Sequence, residues 1–456
     1  MCPATSRVLS LCLFLMGAIS IFLLRALPPP SPYFWSIPFF FVCSGIWIGR
    51  SGRQRLSLLL TGGGGFIALP LLWLSLQSAR VNDAVADAGV SLRKVQLEVP
   101  APLAAGWLAE PRSLEIYPGL KVSVFASGLQ GPRMLAFSPA GDLYVSLPSK
   151  GQVVVLPDRN RDGVADRQLV FRGGLDRPHG LSFSGKDLIV AENGRLVRLI
   201  DTDADLKADG LEVLTTDLPD GGGHWTRSLV TTDQAWFVAA GSSCNACEER
   251  DPRRAAILRV DRNSHIATLY ARGLRNSVGL AIHPRTGALW ASDNGRDMLG
   301  DELPPEELNR IVAGGDYGWP YCYGRRIPDP AFGSVERCQK TIAPQVEMPA
   351  HSAPLGIAFG SGLDFPAPLQ QMLYVAFHGS WNRSVPTGYK LVGIPFRNGH
   401  PTGPQQDILR GWLQGLSAWG RPVAPAVGTD GALYLSDDRA GLIYRITAEK
   451  DSQTKK

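Results

Sequence analysis

Apolar residues follow two different patterns along the chain. Three long apolar stretches occupy residues 8–27, 33–49 and 56–77, each near the roughly 17–25 residues that cross a hydrocarbon core about 30 Å thick. After residue 112, short runs of β-branched and aromatic residues alternate with turns rich in Pro, Gly and Asp. The pattern predicts a membrane anchor of three transmembrane helices over 1–80, a linker over 81–111, a β-rich domain over 112–447 and a disordered tail over 448–456.

Positive charge sets the predicted orientation of the anchor. Arg50, Arg53 and Arg55 lie in the short connection between the second and third apolar stretches, so the positive-inside rule places this connection in the cytoplasm. We therefore predict a bacterial inner-membrane protein with a cytoplasmic N-terminus and a periplasmic catalytic domain. A cleaved signal peptide followed by a buried hairpin is the less favoured alternative, because three prolines rather than a small-residue cleavage site follow the first stretch.

Six similar units repeat through the β-rich part. Each has a polar tip, a short apolar strand, a turn containing Pro, Gly or Asp, and a second strand of β-branched and aromatic residues, as in GPRMLAFSPAGDLYVS. A spacing of about 45–50 residues fits one four-stranded sheet per repeat, and six such sheets arranged radially form a β-propeller. The units begin at Gly131, Arg177, Gly223, Arg275, Ser352 and Gly420.

Composition also favours an all-β fold. The 456 residues include 50 Gly and 35 Pro, well above the ordinary combined share of about 12%, which argues for many short elements joined by tight turns. A β-sandwich would not need six similar units, and a parallel α/β fold would need amphipathic helices that the pattern does not show. The predicted fold class is all-β, a six-bladed β-propeller preceded by an N-terminal anchor of three transmembrane helices.

The charge distribution argues against nucleic acid as a partner. The formal net charge is +5, but the first 80 residues contain six Arg and no acidic residue. The remainder carries 40 basic and 41 acidic residues, so it lacks the cationic excess that phosphate binding needs.

The polar tips of the units are rich in Arg and His. In a propeller the start of each inner strand lies at the mouth of the central channel, so tips far apart in sequence converge. Any one of these residues is equally compatible with a hydrogen bond to a neighbouring loop, but several Arg around one channel need an anionic partner. The sequence predicts a cationic, proton-accepting pocket. The tip residues are Arg133, His179, His224, Arg227, Arg275, Asn276, His351 and Arg421, and His378 and Arg383 follow the fifth unit.

Four of the seven cysteines lie in the β-rich part. Cys322 and Cys338 bracket a loop and are predicted to form a structural disulfide in an oxidising compartment. The pair in Cys244-Asn-Ala-Cys247 has redox-motif spacing without a surrounding βαβ pattern. A local disulfide is favoured there, and a metal site or a catalytic thiol stays open.

Several motifs resemble those of a known family. The stretch GLRNSVGLAIHPRTGALWASDNGRDMLGDELPPEELNRIVAGGDYGWPYCYG, with GHWTRSLV, PAHSAPLGIAF, HGSWNRS and WGRPV, resembles pyrroloquinoline quinone (PQQ) dependent sugar dehydrogenases. The nearest branch is the sorbosone dehydrogenase-like one of the soluble glucose dehydrogenase superfamily. The resemblance covers nearly all of the β-rich part and leaves out the predicted anchor.

The resemblance implies roles for particular residues. It makes His224 the general base on the sugar hydroxyl, a task suited to a neutral imidazole. It makes Arg275 the group that polarises a quinone carbonyl, with Asn276 on a cofactor oxygen. The backbone carbonyls of Gly295 and Arg296 fall where the family holds a calcium ion, which prefers oxygen ligands. Further candidates are Arg421, Arg383, Lys390 and Arg227 for the cofactor, and His179, His351 and Trp381 for the substrate pocket.

One position departs from the family pattern. Where glucose dehydrogenases place an Asp that orients the catalytic His, this chain has Ser242. A hydroxyl cannot stabilise an imidazolium electrostatically, so either the base is weaker or another carboxylate, such as Glu192, supplies the charge.

Two acidic loops, 158–166 and 201–205, have oxygen-ligand spacing but lack the bidentate Glu of an EF-hand. Solvated turns are favoured there over calcium sites, although both stay open.

The leading functional hypothesis is a membrane-anchored quinoprotein that oxidises a sugar or a sugar-derived aldehyde and passes electrons to a quinone or another respiratory acceptor. The alternative is a calcium-dependent propeller hydrolase of the lactonase or esterase type, because fold alone does not separate the two. The Arg-rich channel favours the first, since a tricarboxylate quinone needs several cations and a neutral lactone does not. A propeller used only as a binding platform would leave the clustered His and Arg without a role.

Overall fold

The computed structural model describes residues 90–449. These residues fall in one compact unit. Its regular secondary structure consists mainly of short antiparallel strands joined by turns and loops. Its helices are α1 (Val335–Cys338), α2 (Ala367–Gln370) and three 3-10 turns, Ala101–Leu103, Gly106–Ala109 and Pro148–Lys150.

The strands follow in chain order. The first eleven are β1 (Arg93–Gln96), β2 (Ser113–Ile116), β3 (Leu120–Ala126), β4 (Leu135–Phe137), β5 (Leu143–Leu147), β6 (Gln152–Leu156), β7 (Leu169–Arg172), β8 (Gly180–Ser184), β9 (Asp187–Ala191), β10 (Leu196–Ile200) and β11 (Gly210–Thr215). The next eleven are β12 (Arg227–Thr231), β13 (Ala235–Ala240), β14 (Ala256–Asp261), β15 (Ala267–Arg272), β16 (Gly279–Ile282), β17 (Leu289–Asp293), β18 (Glu306–Ile311), β19 (Gly315–Asp316), β20 (Cys322–Tyr323), β21 (Ile327–Pro328) and β22 (Val346–Met348). The last ten are β23 (Pro354–Phe359), β24 (Met372–Phe377), β25 (Lys390–Arg397), β26 (His400–Pro401), β27 (Gln406–Arg410), β28 (Leu413–Gln414), β29 (Ser417–Ala418), β30 (Pro422–Val427), β31 (Leu433–Asp437) and β32 (Leu442–Ala448).

These strands form the sheets of a β-propeller. Four sheets have four strands: β4–β7, β8–β11, β16–β17–β18–β22 and β30–β31–β32–β3. A fifth holds β12–β15 with the short parallel strand β19 at its edge. The largest has seven strands, because β1 and β2 extend β23–β24–β25–β27 and β26 pairs with β25. The first strands of neighbouring sheets contact one another in the order β4, β8, β12, β16, β23 and β30, and β30 returns to β4.

Each pair of neighbouring sheets buries an apolar layer between them. One layer joins Tyr144 and Val155 of β4–β7 to Leu188 and Val197 of β8–β11, and the other layers follow the same pattern. The first strands surround a central cavity of about 190 Å³. This packing brings the loops that precede the first strands to one end of the ring.

Repeated glycines produce the tight turns between the first and second strands. Gly141, Gly287 and Gly431 occupy equivalent turns and have φ of +90°, +67° and +74°. Residues with a Cβ adopt this left-handed region only with strain. These glycines therefore lie at the turns of the hairpins, where the sequence pattern predicted turns.

The predicted fold class is corrected by the structure. The all-β propeller is present, but six equal four-stranded blades preceded by a helical anchor are not supported: the sheets of the described part range from two strands to seven. The range predicted as a linker contains β1, which pairs with β2 in that largest sheet.

The predicted membrane anchor and inner-membrane location are also not supported. None of the helices between residues 90 and 449 is long and apolar enough to cross a membrane. The three predicted spans, 8–27, 33–49 and 56–77, and most of the predicted tail lie outside the described residues. We therefore withdraw the anchored topology and the periplasmic placement that depended on it.

Candidate active site

Antiparallel pairing places the predicted site loops at one end of the ring. The start of β12 pairs with the end of β13, and the start of β16 pairs with the end of β17. The loop that carries His224 therefore lies beside residues 241–254, and the loop that carries Arg275 lies beside residues 294–305. These four loops form the centre of the candidate site.

His224 is held in one tautomer. Its Nδ1 lies 3.1 Å from the backbone carbonyl of Ser242 and 2.9 Å from the Ser242 hydroxyl. Because a carbonyl only accepts hydrogen bonds, Nδ1 carries the hydrogen and Nε2 is left with the lone pair. Burial, assisted by the nearby charge of Arg275, lowers the pKa of His224 to about 4. The imidazole is neutral at pH 7 and can accept a proton at Nε2.

Ser242 orients the imidazole of His224 although it carries no charge. The residue is completely buried, and it orients the imidazole through its carbonyl and hydroxyl without supplying a negative charge. The expected carboxylate, Glu192, instead pairs with Arg195 and accepts a bond from the backbone of Asp176.

Close packing brings Asn276 next to His224. A Cβ at Gly241 would lie 2.6 Å from both Asn276 Oδ1 and His224 Cβ, so only Gly permits this approach. Asn276 Oδ1 is buried and has no hydrogen-bond partner among the described residues. It is therefore available to a ligand donor.

Arg275 is 5% exposed, and all five of its N–H groups are bound. Nε donates to the carbonyl of Asn245 at 2.9 Å, and the terminal nitrogens donate to Asn245 Oδ1 at 2.9 Å, Asp297 at 3.0 Å, Gly295 O at 2.7 Å and Asn294 O at 3.3 Å. Burial lowers the pKa of the guanidinium, and Asp297 opposes that shift. The side chain is fixed as a rigid positive group beside His224.

The proposed calcium position at Gly295 and Arg296 does not fit this arrangement directly. The Gly295 carbonyl already accepts a hydrogen bond from Arg275, and the Arg296 side chain pairs with Asp329 at 2.8 Å. A cation at the Gly295 carbonyl would have to use the second lone pair of that oxygen and would lie close to the positive guanidinium of Arg275.

A second cluster surrounds Asp438, which the sequence analysis did not select. Arg133 lies 2.9 Å from this carboxylate, Arg421 3.0 Å and His378 3.1 Å. Although burial alone would raise the pKa of Asp438, the hydrogen bond from His378 and the charges of Arg133 and Arg421 hold it below its usual range. Two guanidinium groups therefore share one carboxylate, and the excess positive charge suits an anionic ligand.

The predicted pocket histidines differ in their surroundings. His179 is 1% exposed, packs edge-on against Trp225, and has no hydrogen-bond partner on either ring nitrogen among the described residues. Burial and the charge of Arg133 lower its pKa, so it is neutral. His351 is satisfied by the Gly300 carbonyl at 2.8 Å and by Asn382 at 3.3 Å.

The remaining candidate site residues either make local contacts or are exposed to solvent. The Arg227 side chain is fully buried and donates to the carbonyls of Pro219, His224 and Thr226. Lys390 pairs with Asp407 at 2.5 Å, and Arg383 binds Glu302 and the Asp301 carbonyl. Trp381 is 73% exposed. These contacts hold Arg227, Lys390 and Arg383 against neighbouring segments of the propeller. Binding of the cofactor by these three residues stays a prediction.

Buried carboxylates that the sequence analysis missed hold the site loops in place. Asp293 accepts bonds from the backbone N–H groups of Arg275 and Asn276 and from the Ser277 hydroxyl. Asp437, at the equivalent end of β31, accepts the backbone N–H of Arg421. An acidic residue repeated at the end of the second strand was the sequence signal that could have identified them.

Glu307 should make stability depend on pH. It is buried and accepts bonds from Gly324 and Asn309, and burial raises its pKa to about 8. The folded state therefore keeps a proton on Glu307 up to a higher pH than the unfolded state does. The contribution of Glu307 to the free energy of unfolding is greatest below about pH 4 and falls as the pH rises towards 8. We expect Glu307→Gln to flatten the fall in melting temperature between pH 5 and 8.5. An unchanged slope would show that Glu307 does not titrate in this range.

Both predicted disulfides are confirmed. Cys244 bonds Cys247, and Cys322 bonds Cys338. In the acidic loop 158–166, Asp158 accepts bonds from the backbone of Asp162 and Gly163, as in an ordinary turn. Asp201, Asp203 and Asp209 approach one another closely enough to hold an ion, and the solvated turns favoured by the sequence stay a prediction at both loops.

Taken together, the fold and site define a β-propeller with a neutral, oriented histidine, a fixed arginine and a cationic cluster at one end of its ring. The TrAA12-like family model matches residues 114–449, and the chain belongs to this family. The predicted relationship to PQQ-dependent sugar dehydrogenases is confirmed at this level. The sorbosone dehydrogenase-like branch stays a prediction.

Relatives and solved structures agree with this assignment. The chain is 26% identical over 417 residues to a PQQ-dependent pyranose dehydrogenase of Coprinopsis cinerea, covering 74% of this chain and 55% of that protein. It is 24% identical over 433 residues to a PQQ-dependent sugar dehydrogenase of Hypocrea jecorina, covering 78% and 92%. The chain spans about half the length of the first curated relatives it matches.

The fold is shared with the iodide structure of a Trichoderma reesei carbohydrate-active enzyme of family AA12. The TM-score is 0.65 at 24% sequence identity, covering 73% of this chain and 97% of that structure. At this identity the likeness supports the propeller fold alone.

Proposed function

We propose that this chain is a quinoprotein dehydrogenase that oxidises a sugar or a sugar-derived aldehyde with PQQ as cofactor. The observation that carries the proposal is the combination of a neutral His224 with an available Nε2 and the fully bound, positively charged Arg275 beside it. The names of the Coprinopsis cinerea and Hypocrea jecorina relatives support the same chemistry.

The residues present fit an anionic quinone. Arg133 and Arg421 share the single carboxylate of Asp438, so the two guanidinium groups keep an excess positive charge that can pair with carboxylates, while burial lowers the pKa of the neighbouring His378. Asn276 Oδ1 and the two ring nitrogens of His179 are buried without partners in the described part of the chain. Such atoms are costly to bury unless a ligand or water satisfies them.

The proposed chemistry assigns one task to each central residue. When bound, PQQ supplies an electrophilic carbonyl that takes up hydride. His224 Nε2 accepts the hydroxyl proton of the sugar while the adjacent carbon loses hydride, so the substrate is oxidised by two electrons. Because all five Arg275 N–H groups are bound by the protein, Arg275 would act through its fixed positive charge, which stabilises negative charge developing on the quinone oxygen.

Calcium and the electron acceptor are finer parts of the proposal. Calcium coordination by the carbonyls of Gly295 and Arg296 would place the ion close to the positive guanidinium of Arg275, which binds the Gly295 carbonyl. The reduced cofactor needs an external two-electron oxidant for each turnover, and the predicted respiratory acceptor would supply that step. Both remain open to test.

Cofactor dependence tests the proposal directly. We expect the purified full-length chain to reduce an artificial electron-accepting dye with aldoses only after PQQ is added, with calcium varied separately. Bound PQQ should remain with the protein through gel filtration. Hydrolysis of lactones without PQQ, together with loss of all PQQ absorbance on the column, would contradict the proposal and support a propeller hydrolase.

A further inference from the structure

The Cys244–Cys247 disulfide closes a four-residue loop between His224 and Arg275. The two Cα atoms are 6.2 Å apart, and Asn245 and Ala246 lie inside the loop. The segment follows β13, whose end pairs with the start of β12, so it lies beside the loop that carries His224. The disulfide therefore constrains backbone next to both central residues of the proposed site.

Asn245 holds Arg275 at two points. Its carbonyl accepts from Arg275 Nε and its side-chain Oδ1 accepts from a terminal nitrogen, both at 2.9 Å. The same side chain exchanges bonds with the backbone of Asp297: Oδ1 accepts the Asp297 N–H at 2.8 Å, and Nδ2 donates to the Asp297 carbonyl at 3.2 Å. Asp297 in turn accepts from Arg275. The guanidinium is thus fixed between two loops that Asn245 ties together.

The same loop reaches His224 by a separate route. The Ser242 hydroxyl donates to the Cys244 carbonyl at 2.7 Å. Its only hydrogen is used in that bond, so the hydroxyl must accept from His224 Nδ1. The position of the Cys244 carbonyl therefore determines which way the Ser242 hydroxyl points, and the hydroxyl then supports the same tautomer that the Ser242 carbonyl selects.

We propose that the disulfide-closed loop 244–247 is a positioning element that sets His224 and Arg275 relative to each other. Asn245 acts on Arg275, and the Cys244 carbonyl acts on His224 through Ser242. The inference rests on the proposed function, and it names Asn245 and the disulfide as positioning groups that touch neither substrate nor cofactor. A cross-linked loop keeps both contacts with little conformational freedom, which suits a site that needs accurate geometry.

Asn245→Ala tests the contact with Arg275. The variant keeps the backbone carbonyl that accepts from Arg275 Nε but loses the side-chain bonds to the terminal guanidinium nitrogen and to Asp297. We expect turnover to fall about 10-fold to 100-fold, the scale of a misplaced catalytic group. KM for the sugar and the PQQ dissociation constant should change less than about threefold. Ser243→Ala is the matched control, because it removes a hydrogen bond from the same segment to Glu249 and should leave turnover near the wild-type value.

A double variant, Cys244→Ser with Cys247→Ser, tests the contact with His224. Opening the loop should admit water to the imidazole, so the His224 titration midpoint should rise by roughly one pH unit towards its ordinary value. Proton NMR, with the His224 signal assigned by its absence in His224→Ala, measures this midpoint without any turnover. Asn245→Ala should move that midpoint less, because it leaves the Cys244 carbonyl and its contact with Ser242 in place.

These measurements separate the two proposals. Inactive wild-type protein in the presence of PQQ would contradict the proposed function, while the NMR midpoint would still test the loop. Wild-type turnover in Asn245→Ala and an unmoved midpoint in the cysteine variant would overturn the positioning role. Equal losses of turnover in Asn245→Ala and Ser243→Ala would also overturn it, because they would indicate general loosening of the segment.

Discussion

His224→Ala is expected to retain PQQ but to lose about 10²-fold to 10⁴-fold in turnover, the usual contribution of a positioned general base. The structure supports this size of effect because Ser242 holds Nδ1 and leaves Nε2 for the sugar hydroxyl. Wild-type turnover should fall as the pH drops through about 4, where the imidazole becomes protonated. Steady-state rates across pH, with PQQ binding measured separately, provide the test.

Two controls make that result specific. His400→Ala removes an exposed histidine on β26 and should behave as wild type. The acid limb should be absent from any residual activity of His224→Ala. Near-normal turnover in that variant, or a greater loss in His179→Ala, would place the base elsewhere.

Arg275→Lys should lose about 10²-fold to 10³-fold in turnover although the positive charge is kept. Arg275 uses all five donors of a planar fork, and a lysine ammonium has three donors without that geometry. Without the fork the positive charge is no longer held in place beside His224, and misplacing a charge-stabilising group has an effect of about this size. Single-turnover reduction of added PQQ by the sugar measures the step directly.

Arg272→Lys is the matched control for that substitution. Arg272 lies at the exposed end of β15 and pairs with Asp316, three residues from Arg275 but outside the site. It should retain wild-type rates. An active Arg275→Lys enzyme would show that charge alone suffices and that the fork is not needed.

The repeating turns made much of the fold predictable from sequence. Gly141 and Gly431 adopt backbone angles that other residues avoid. The runs of alternating apolar and polar residues between such glycines indicate strands. The seven-stranded sheet was not predictable in this way. It depends on β2 pairing with β27, where Glu115 lies opposite Arg410, and local patterns carry no information about such distant partners.

The candidate site was predictable in its residue types but only partly in their roles. His224 and Arg275 were selected and lie in adjoining loops. Arg227 was expected to reach a cofactor, yet nearby backbone carbonyls take up its donors. Asp438 was missed, because a residue that balances Arg133 and Arg421 is recognisable only when their side chains are placed in space.

The pairing of β3 with β32 has a consequence for how the ring is made. Leu120 lies opposite Ala448 and Val122 opposite Ile446, so an early strand of the described part completes a sheet whose other members are its last three strands. Contacts between such distant segments slow folding, because the chain loses the entropy of a very long loop before it gains them. β3 cannot pair in this sheet until β32 has been synthesised, and we therefore expect ring closure to be among the slow steps of folding.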